Sequence, residues 1–200
     1  MINFSNINIS FNERDLYKDF SISFNENSIN FIMGESGVGK TTLIKHLKDE
    51  LLTKGNRVSI TFQESRLIPW KNVYKNLEIV IKDKFNKDER KKIIKEILDN
   101  MNLKETESLF PHELSGGMKQ RVNIARAILF DGDIFIMDEP FKGLDKYNKE
   151  KIIYFLKDYF KKKQKTVIII SHDINEVREF VDSFILLKNE PVIKEIVYIN

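Results

Sequence analysis

The chain has no cysteine, so it carries no disulfide framework and no thiolate metal site. No apolar stretch approaches the length needed to cross a bilayer. The opening residues, Met1 to Asn6, lack the basic stretch and apolar run of a secretory leader, so none is expected. An excess of one charge is missing too. Thirty-three Lys and Arg stand against thirty Asp and Glu, a net +3 that is too balanced to imply nucleic acid or an anionic membrane surface. The one charge run, Lys161-Lys162-Lys163-Gln164-Lys165, reads as a solvated helix C-terminus favoured by the helix dipole. There is no internal repeat. Two hundred residues suit one α/β domain with a small inserted lobe. Such a chain is soluble, or is held at a membrane by something else.

Glycine is scarce, and its placement is informative. Five of the eight glycines lie in two short segments, so glycine is not serving linkers here. The first segment is Gly34-Glu35-Ser36-Gly37-Val38-Gly39-Lys40-Thr41-Thr42. It fits G-x-x-x-x-G-K-[ST], the phosphate-binding loop. Ile29 to Met33 before it reads as a buried strand, and Leu43, Ile44 and Leu47 after it recur at helical spacing. By chance alone the pattern should occur in about one chain in a hundred of this length. The flanking strand and helix lower that further. Gly34, Gly37 and Gly39 let the backbone curl so that successive N–H groups face one anion, and the helix adds its positive dipole end. Lys40 would reach the β- and γ-phosphates, and the Thr41 hydroxyl would bind Mg²⁺.

Elsewhere the hydrophobic pattern indicates a mainly parallel sheet. Asp133 to Met137 and Thr166 to Ile170 read as fully apolar strands, the mark of a sheet covered on both sides by helices. Val58 to Phe62 is another strand, and Phe184 to Leu187 and Val192 to Ile199 read as closing strands. Near the N-terminus, Phe4, Ile7, Ile9 and Phe11 are interleaved with polar residues, and Phe20, Ile22 and Phe24 alternate with serine, as in half-exposed strands. Lys87 to Met101 places Ile93, Ile94, Ile97, Leu98 and Met101 on one helical face. A helical lobe inserted in the sheet core is expected over about residues 71–130.

In parallel sheets ligands bind at the carboxyl ends of strands. Four polar clusters fall at such ends: the glycine loop, Gln63, Asp138-Glu139 and His172. Alone, Gln63 would be an ordinary turn residue and His172 a satisfied structural histidine. Asp138 fits the second acid of a phosphate site, holding Mg²⁺ through water beside Thr41. Glu139, at the end of a buried strand, is placed to polarise the water that attacks a γ-phosphate. The competing reading of Asp-Glu-Pro is a charged turn. The second glycine segment, Leu114-Ser115-Gly116-Gly117-Met118-Lys119-Gln120-Arg121, is either a plain helix start capped by Ser115 or a second anion-binding helix end.

Assembled, these residues resemble the ATP-binding subunit of ABC transporters across nearly the whole chain. Leu114 to Arg121 resembles the ABC signature, and Ile134 to Glu139 the Walker B strand with its catalytic glutamate. Gln63 matches the Q-loop, Gly143-Leu144-Asp145 the D-loop, and His172 the switch histidine. Phe11 stands where the family stacks an aromatic on adenine, and could equally be a strand core residue. The resemblance implies an α/β P-loop NTPase fold of the RecA-like type, with N-terminal antiparallel strands and a small helical lobe, as a single ABC-type ATP-binding domain over 1–200. It implies ATP and Mg²⁺ as cofactors. Glu139, His172, Lys40 and Gln63 would be catalytic, and Thr41, Gln63 and Asp138 would hold the metal. Nucleotide would be bound by Phe11, by the whole run Gly34, Glu35, Ser36, Gly37, Val38, Gly39, Lys40, Thr41 and Thr42, and by Ser115, Gly116, Gly117 and Asp145.

It also implies partners. Two ATPase subunits would sandwich two ATP molecules, Ser115, Gly116 and Gly117 of one meeting the γ-phosphate held by the other. Closing and reopening would drive membrane-spanning permease subunits at the cytoplasmic face of the cell membrane, fed by a solute-binding protein. Phe62 to Trp70, with Glu139-Pro140-Phe141 and Ser171 to Val177, is similar to the nitrate/sulfonate/taurine-type importers. Trp70 would lie at the permease, or pack as an ordinary aromatic. Lys142 departs from the serine common in the D-loop and puts coupling between the sites in question. Asn27 replaces a turn glycine, which is tolerable because Asn accepts positive φ. The stretch from Thr42 to Gln63 is short, so an antiparallel sub-sheet is expected to be trimmed.

Other readings fit less well. A repair-type ABC ATPase needs a long coiled coil that residues 43–113 cannot hold, and translation types join two ATPase units in one chain. A module that binds without hydrolysing would not need Glu139 and His172. A GTPase would need a guanine reader, which Asn86-Lys87-Asp88-Glu89 misses.

Overall fold

Two long strands open the chain. Ile2–Phe11 (β1) and Arg14–Phe24 (β2) form an antiparallel two-stranded sheet. β1 does not alternate regularly: Phe4 and Ile7, three residues apart, are both buried. Asn6 takes φ +57° and Asp19 φ +45°, and the register shifts at these points. An inserted residue turns the next side chain to the other face, so Phe4 and Ile7 reach one core, as do Tyr17 and Phe20. The structure is a computed structural model that describes residues 1–11, 14–181, 183–188 and 191–199, with the side chains of residues 11 and 14 outside that description.

The chain separates into two compact units. The first comprises Met1–Val58, Asp133–Glu139 and Tyr159–Asn200. After a turn in which Asn27 adopts φ +53°, Ile29–Gly34 (β3) leads through the glycine loop into Lys40–Thr53 (α1). Leu43, Leu47 and Leu51 recur one turn apart on α1 and are buried with Ile44. Each such side chain removed from water contributes about 1.5–3 kcal/mol. Val58–Thr61 (β4) starts the larger sheet, and Val73–Glu78 (α2), Lys87–Asn100 (α3) and Gly116–Phe130 (α4) follow in the second unit. Ile134–Asp138 (β5) returns to the first unit. Lys146–Lys163 (α5), Thr166–Ile170 (β6), Ile174–Phe180 (α6), Ser183–Lys188 (β7) and Ile193–Tyr198 (β8) complete the chain.

The larger sheet runs β4-β5-β6-β3-β7-β8. β3 pairs parallel with β6 and with β7, β5 parallel with β6, and β7 antiparallel with β8. Every residue of β5 and β6 is buried, as an apolar run covered on both faces requires. This order has a functional consequence. β3, β5 and β6 are neighbours, so the glycine loop, Asp138-Glu139 and His172 leave the sheet side by side at its carboxyl edge.

The second unit comprises Ser59–Gly132 and Pro140–Asp158. Its α3 is started by a capping box: Asn86 accepts from the Asp88 and Glu89 amides, and the Glu89 carboxylate accepts from the Asn86 amide. The four residues that fail as a guanine reader therefore serve a helix start. Ile94, Ile97 and Leu98 are buried, and Met101 closes the helix. Among the described residues no helix is long and apolar enough to cross a membrane.

Candidate functional site

In the first unit the glycine loop has the geometry of an anion cradle. Gly37 and Gly39 adopt φ +87° and +100°, the left-handed region that glycine enters without steric cost. Gly34 is required by packing as well, since a Cβ there would lie 2.8 Å from the Leu187 carbonyl oxygen and 2.9 Å from Val38 Cγ1. α1 is capped by Gly39, which offers no side-chain oxygen to the first-turn amides, so those donors face whatever enters the loop. Tyr17 fixes the loop from beneath, its hydroxyl donating to the Gly39 carbonyl at 3.0 Å.

Lys40 Nζ donates to the Gly34 and Glu35 carbonyls, each at 2.8 Å. Burial holds its pKa below the ordinary lysine value, against the opposing pull of Glu139 and Asp138. An ammonium has three donors, so one remains beyond these two contacts. Thr41 Oγ1 donates to Asp138 Oδ2 across a long 3.4 Å. Asp138 is buried at the end of β5. A hydroxyl and a carboxylate oxygen side by side are the hard donors Mg²⁺ prefers, and that ion keeps much of its shell for water and phosphate. The donor set therefore fits a magnesium-bound triphosphate.

Glu139 is held in an unusual way. Its φ is +48°, a left-handed conformation uncommon outside glycine, and its amide donates to the Ile170 carbonyl at 3.0 Å. Its carboxylate, 12% exposed, receives His172 Nδ1 at 2.7 Å on Oε1 and 2.8 Å on Oε2. An ionised carboxylate only accepts, so opposite that form of Glu139 the proton belongs on Nδ1 of the exposed His172 ring. Strain of this kind costs on the order of 1–3 kcal/mol and concentrates where function sets the geometry. Beside the loop lies a pocket of about 650 Å³, lined by Gly34, Ser36, Val38, His172, Phe184 and Leu187 among others.

Of the other expected residues, Gln63, Ser115, Gly116, Gly117 and Asp145 lie in the second unit. Gln63 is exposed in a bend after β4. The carbonyl before it, of Phe62, accepts from Asn123 Nδ2, and that of Arg66 accepts from Arg126 Nη1. Ser115 caps α4 through Met118 N at 3.2 Å. Gly116 borders open space, whereas a Cβ on Gly117 would come within 3.0 Å of the Gly143 carbonyl oxygen. Asp145 accepts from the amide and side chain of Asn148 at 3.0 and 2.6 Å, the contacts of an N-cap for α5. Those hydrogen bonds hold its carboxyl below the usual aspartate range. The Phe11 side chain falls outside the described residues.

The chain is similar to known proteins over most of its length. The family model described as "ABC transporter" matches residues 17–142. The aliphatic sulfonates import ATP-binding protein SsuB of Bacillus cereus is 34% identical over 176 residues, covering 80% of this chain and 68% of that protein. The same-named protein of Zymomonas mobilis is 32% identical, covering 94% and 82%. An uncharacterized ABC transporter ATP-binding protein of Methanocaldococcus jannaschii is 35% identical, covering 88% and 72%.

The chain belongs to the ABC transporter family.

It is an ABC ATP-binding domain, and an ATPase of the P-loop type. The fold agrees. A dimeric ATP-binding cassette in a post-hydrolysis state, bound to ADP and Pi, superposes with a TM-score of 0.87 at 28% identity, covering 100% of this chain and 99% of that one. A dimeric bacterial ABC transporter cassette superposes equally well. Within this ABC domain, sequence patterns missed Tyr17, Asn123 and Asn148. Each acts through a backbone carbonyl or a second side chain, and no spacing rule marks such a residue.

Proposed function

We propose that this ABC ATPase powers an importer of the nitrate, sulfonate and taurine type. Two copies would each hold ATP on the Gly34–Thr42 loop and close on it with the other copy's Ser115–Gly117 turn. Closure and reopening would move membrane-spanning permease subunits at the inner face of the cell membrane, with a solute-binding protein delivering cargo. The import reading is supported by relatives named as aliphatic sulfonate import proteins. The two-copy reading is supported by related cassettes that are dimeric.

Within the site, Lys40 and the loop amides would hold the phosphates, and Thr41, Asp138 and Gln63 would hold Mg²⁺, which supplies charge neutralisation when bound. Glu139 would take the proton of the attacking water. His172 would fix the Glu139 carboxylate through Nδ1–H and turn Nε2 to the γ-phosphate. Phe11 would stack on adenine, and Asp145 would line the shared pocket. The observation that carries the reading is the Glu139 carboxylate, strained at its backbone and gripped at both oxygens by His172. A purely structural acid at a strand end would need neither.

Two substitutions test it by separating binding from chemistry. Glu139→Gln should bind ATP as before and lose hydrolysis by at least 10²-fold, the scale of a lost general base. Lys40→Ala should lose ATP binding itself. Measurement of both constants by fluorescent nucleotide titration and phosphate release decides. Full turnover in Glu139→Gln removes the base assignment, and unchanged affinity in Lys40→Ala removes the phosphate site.

A further inference from the structure

The second unit contains a buried arginine that joins three turns. Arg121 sits one helical turn after Gly117 on α4 and is 9% exposed. Its Nε donates to the Gly117 carbonyl at 3.3 Å, within the Ser115–Gly117 start of that helix. Its Nη1 donates to the carbonyls of Met101 at 3.1 Å and Asn102 at 2.6 Å, where α3 ends. The same Nη1 donates to Asn148 Oδ1 at 3.2 Å. Asn148 Oδ1 also receives Asn102 Nδ2 at 2.9 Å, and Asn148 Nδ2 donates to Asp145 Oδ2 at 2.6 Å.

The far end of this chain of bonds is equally fixed. Phe141 to Leu144 forms a tight turn closed by Leu144 N donating to the Phe141 carbonyl at 3.2 Å, with Gly143 at φ +77° in the position that demands glycine. The Gly143 carbonyl then abuts Gly117 so closely that a Cβ there would lie 3.0 Å from its oxygen and push it aside by a few tenths of an ångström. The Ser115–Gly117 turn and the Lys142–Asp145 turn are thus joined by direct contact and by a planar guanidinium with an amide bridge. A guanidinium is a rigid fork, so it transmits displacement where a flexible lysine would absorb it.

We propose that Arg121 and Asn148 form a latch that makes the Ser115–Gly117 turn and the Asp145 turn move as one piece, and that both are positioning residues for closure of two copies on ATP. The functional half of this inference rests on the two-copy reading given above. Coupling between the turns does not depend on the residue at 142, so the lysine there leaves it intact. Asn148 is the better probe because alanine is a good helix former and the site is only half-buried.

Hydrogen exchange on the nucleotide-free chain tests the tie alone. Asn148→Ala should speed exchange about tenfold, equivalent to ~1.4 kcal/mol, at the amides of Met118 to Arg121 as well as at Asn148 and Lys149. A change confined to Asn148 and Lys149 overturns the latch, because it shows only a lost helix cap. In the Glu139→Gln background, Asn148→Ala and Arg121→Lys should each raise the ATP concentration for half-maximal dimerisation about tenfold. Fluorescent ATP affinity of the monomer should stay unchanged. The double variant should be no worse than the more affected single one, as expected of a coupled pair. Dimerisation equal to that of Glu139→Gln overturns the positioning role. A Glu139→Gln protein that never dimerises, with the exchange coupling intact, removes the two-copy reading and leaves the mechanical tie standing.

Discussion

At the scale of single residues, the phosphate loop is held by groups outside its own motif. Tyr17 donates to the Gly39 carbonyl, which also accepts the Leu43 amide as the first bond of α1. Burial pushes the Tyr17 hydroxyl above its ordinary pKa. Tyr17→Phe should cost about 1 kcal/mol at neutral pH, the net worth of one such bond. The sign of the pH dependence follows from the raised value. The folded state favours the protonated phenol, so its stabilisation is present below the unfolded pKa of about 10 and is lost as pH rises beyond it. Urea unfolding of both proteins at neutral pH and above pH ~10 checks this, with the gap between them narrowing in alkali. A gap that widens would show the phenol ionising more readily in the fold. The left-handed glycines and the place of Lys40 beside the loop were legible in the sequence because they follow from backbone freedom and fixed spacing. Tyr17 was not, because its contact spans 22 positions and one carbonyl.

At the scale of elements, helix and strand identities followed from periodicity, whereas their irregularities did not. The bulges at Asn6 and Asp19 depend on pairing between β1 and β2, which neither strand specifies alone. The left-handed turn at Glu139 follows a strand that reads as regular up to Asp138. The segment around Trp70 is organised by a residue that looks like an unexceptional helix asparagine. Asn76, fully buried on α2, accepts from the Ile68 amide and donates to the carbonyls of Ile68, Lys71 and Asn72. Asn76→Leu takes away the side-chain partner of the Ile68 amide and of the Lys71 carbonyl, while the Ile68 and Asn72 carbonyls keep the Lys71 and Asn76 amides, and should cost about 2–4 kcal/mol. Trp70, 78% exposed, is the chain's one tryptophan, so its emission reports the loss of order directly. Unaltered emission and melting temperature would mean that the loop is held by something else.

At the scale of the molecule, each of the two units carries its own set of groups. The first unit offers a cradle of amides, Lys40, a hard-oxygen pair at Thr41 and Asp138, and the Glu139 carboxylate in contact with His172. The second offers a capped glycine turn whose Gly116 borders open space. Glycine in a first turn costs about 0.5–1 kcal/mol relative to alanine, and packing explains Gly117 alone. A ligand reached from another copy would explain Gly116. The most direct measurement is the mass of Glu139→Gln by sedimentation with and without Mg-ATP over a wide concentration range. Two-copy closure predicts a monomer without nucleotide and a dimer with it, the dimer dispersing when ATP is removed. A protein that stays monomeric at saturating Mg-ATP, while binding it, would contradict the account.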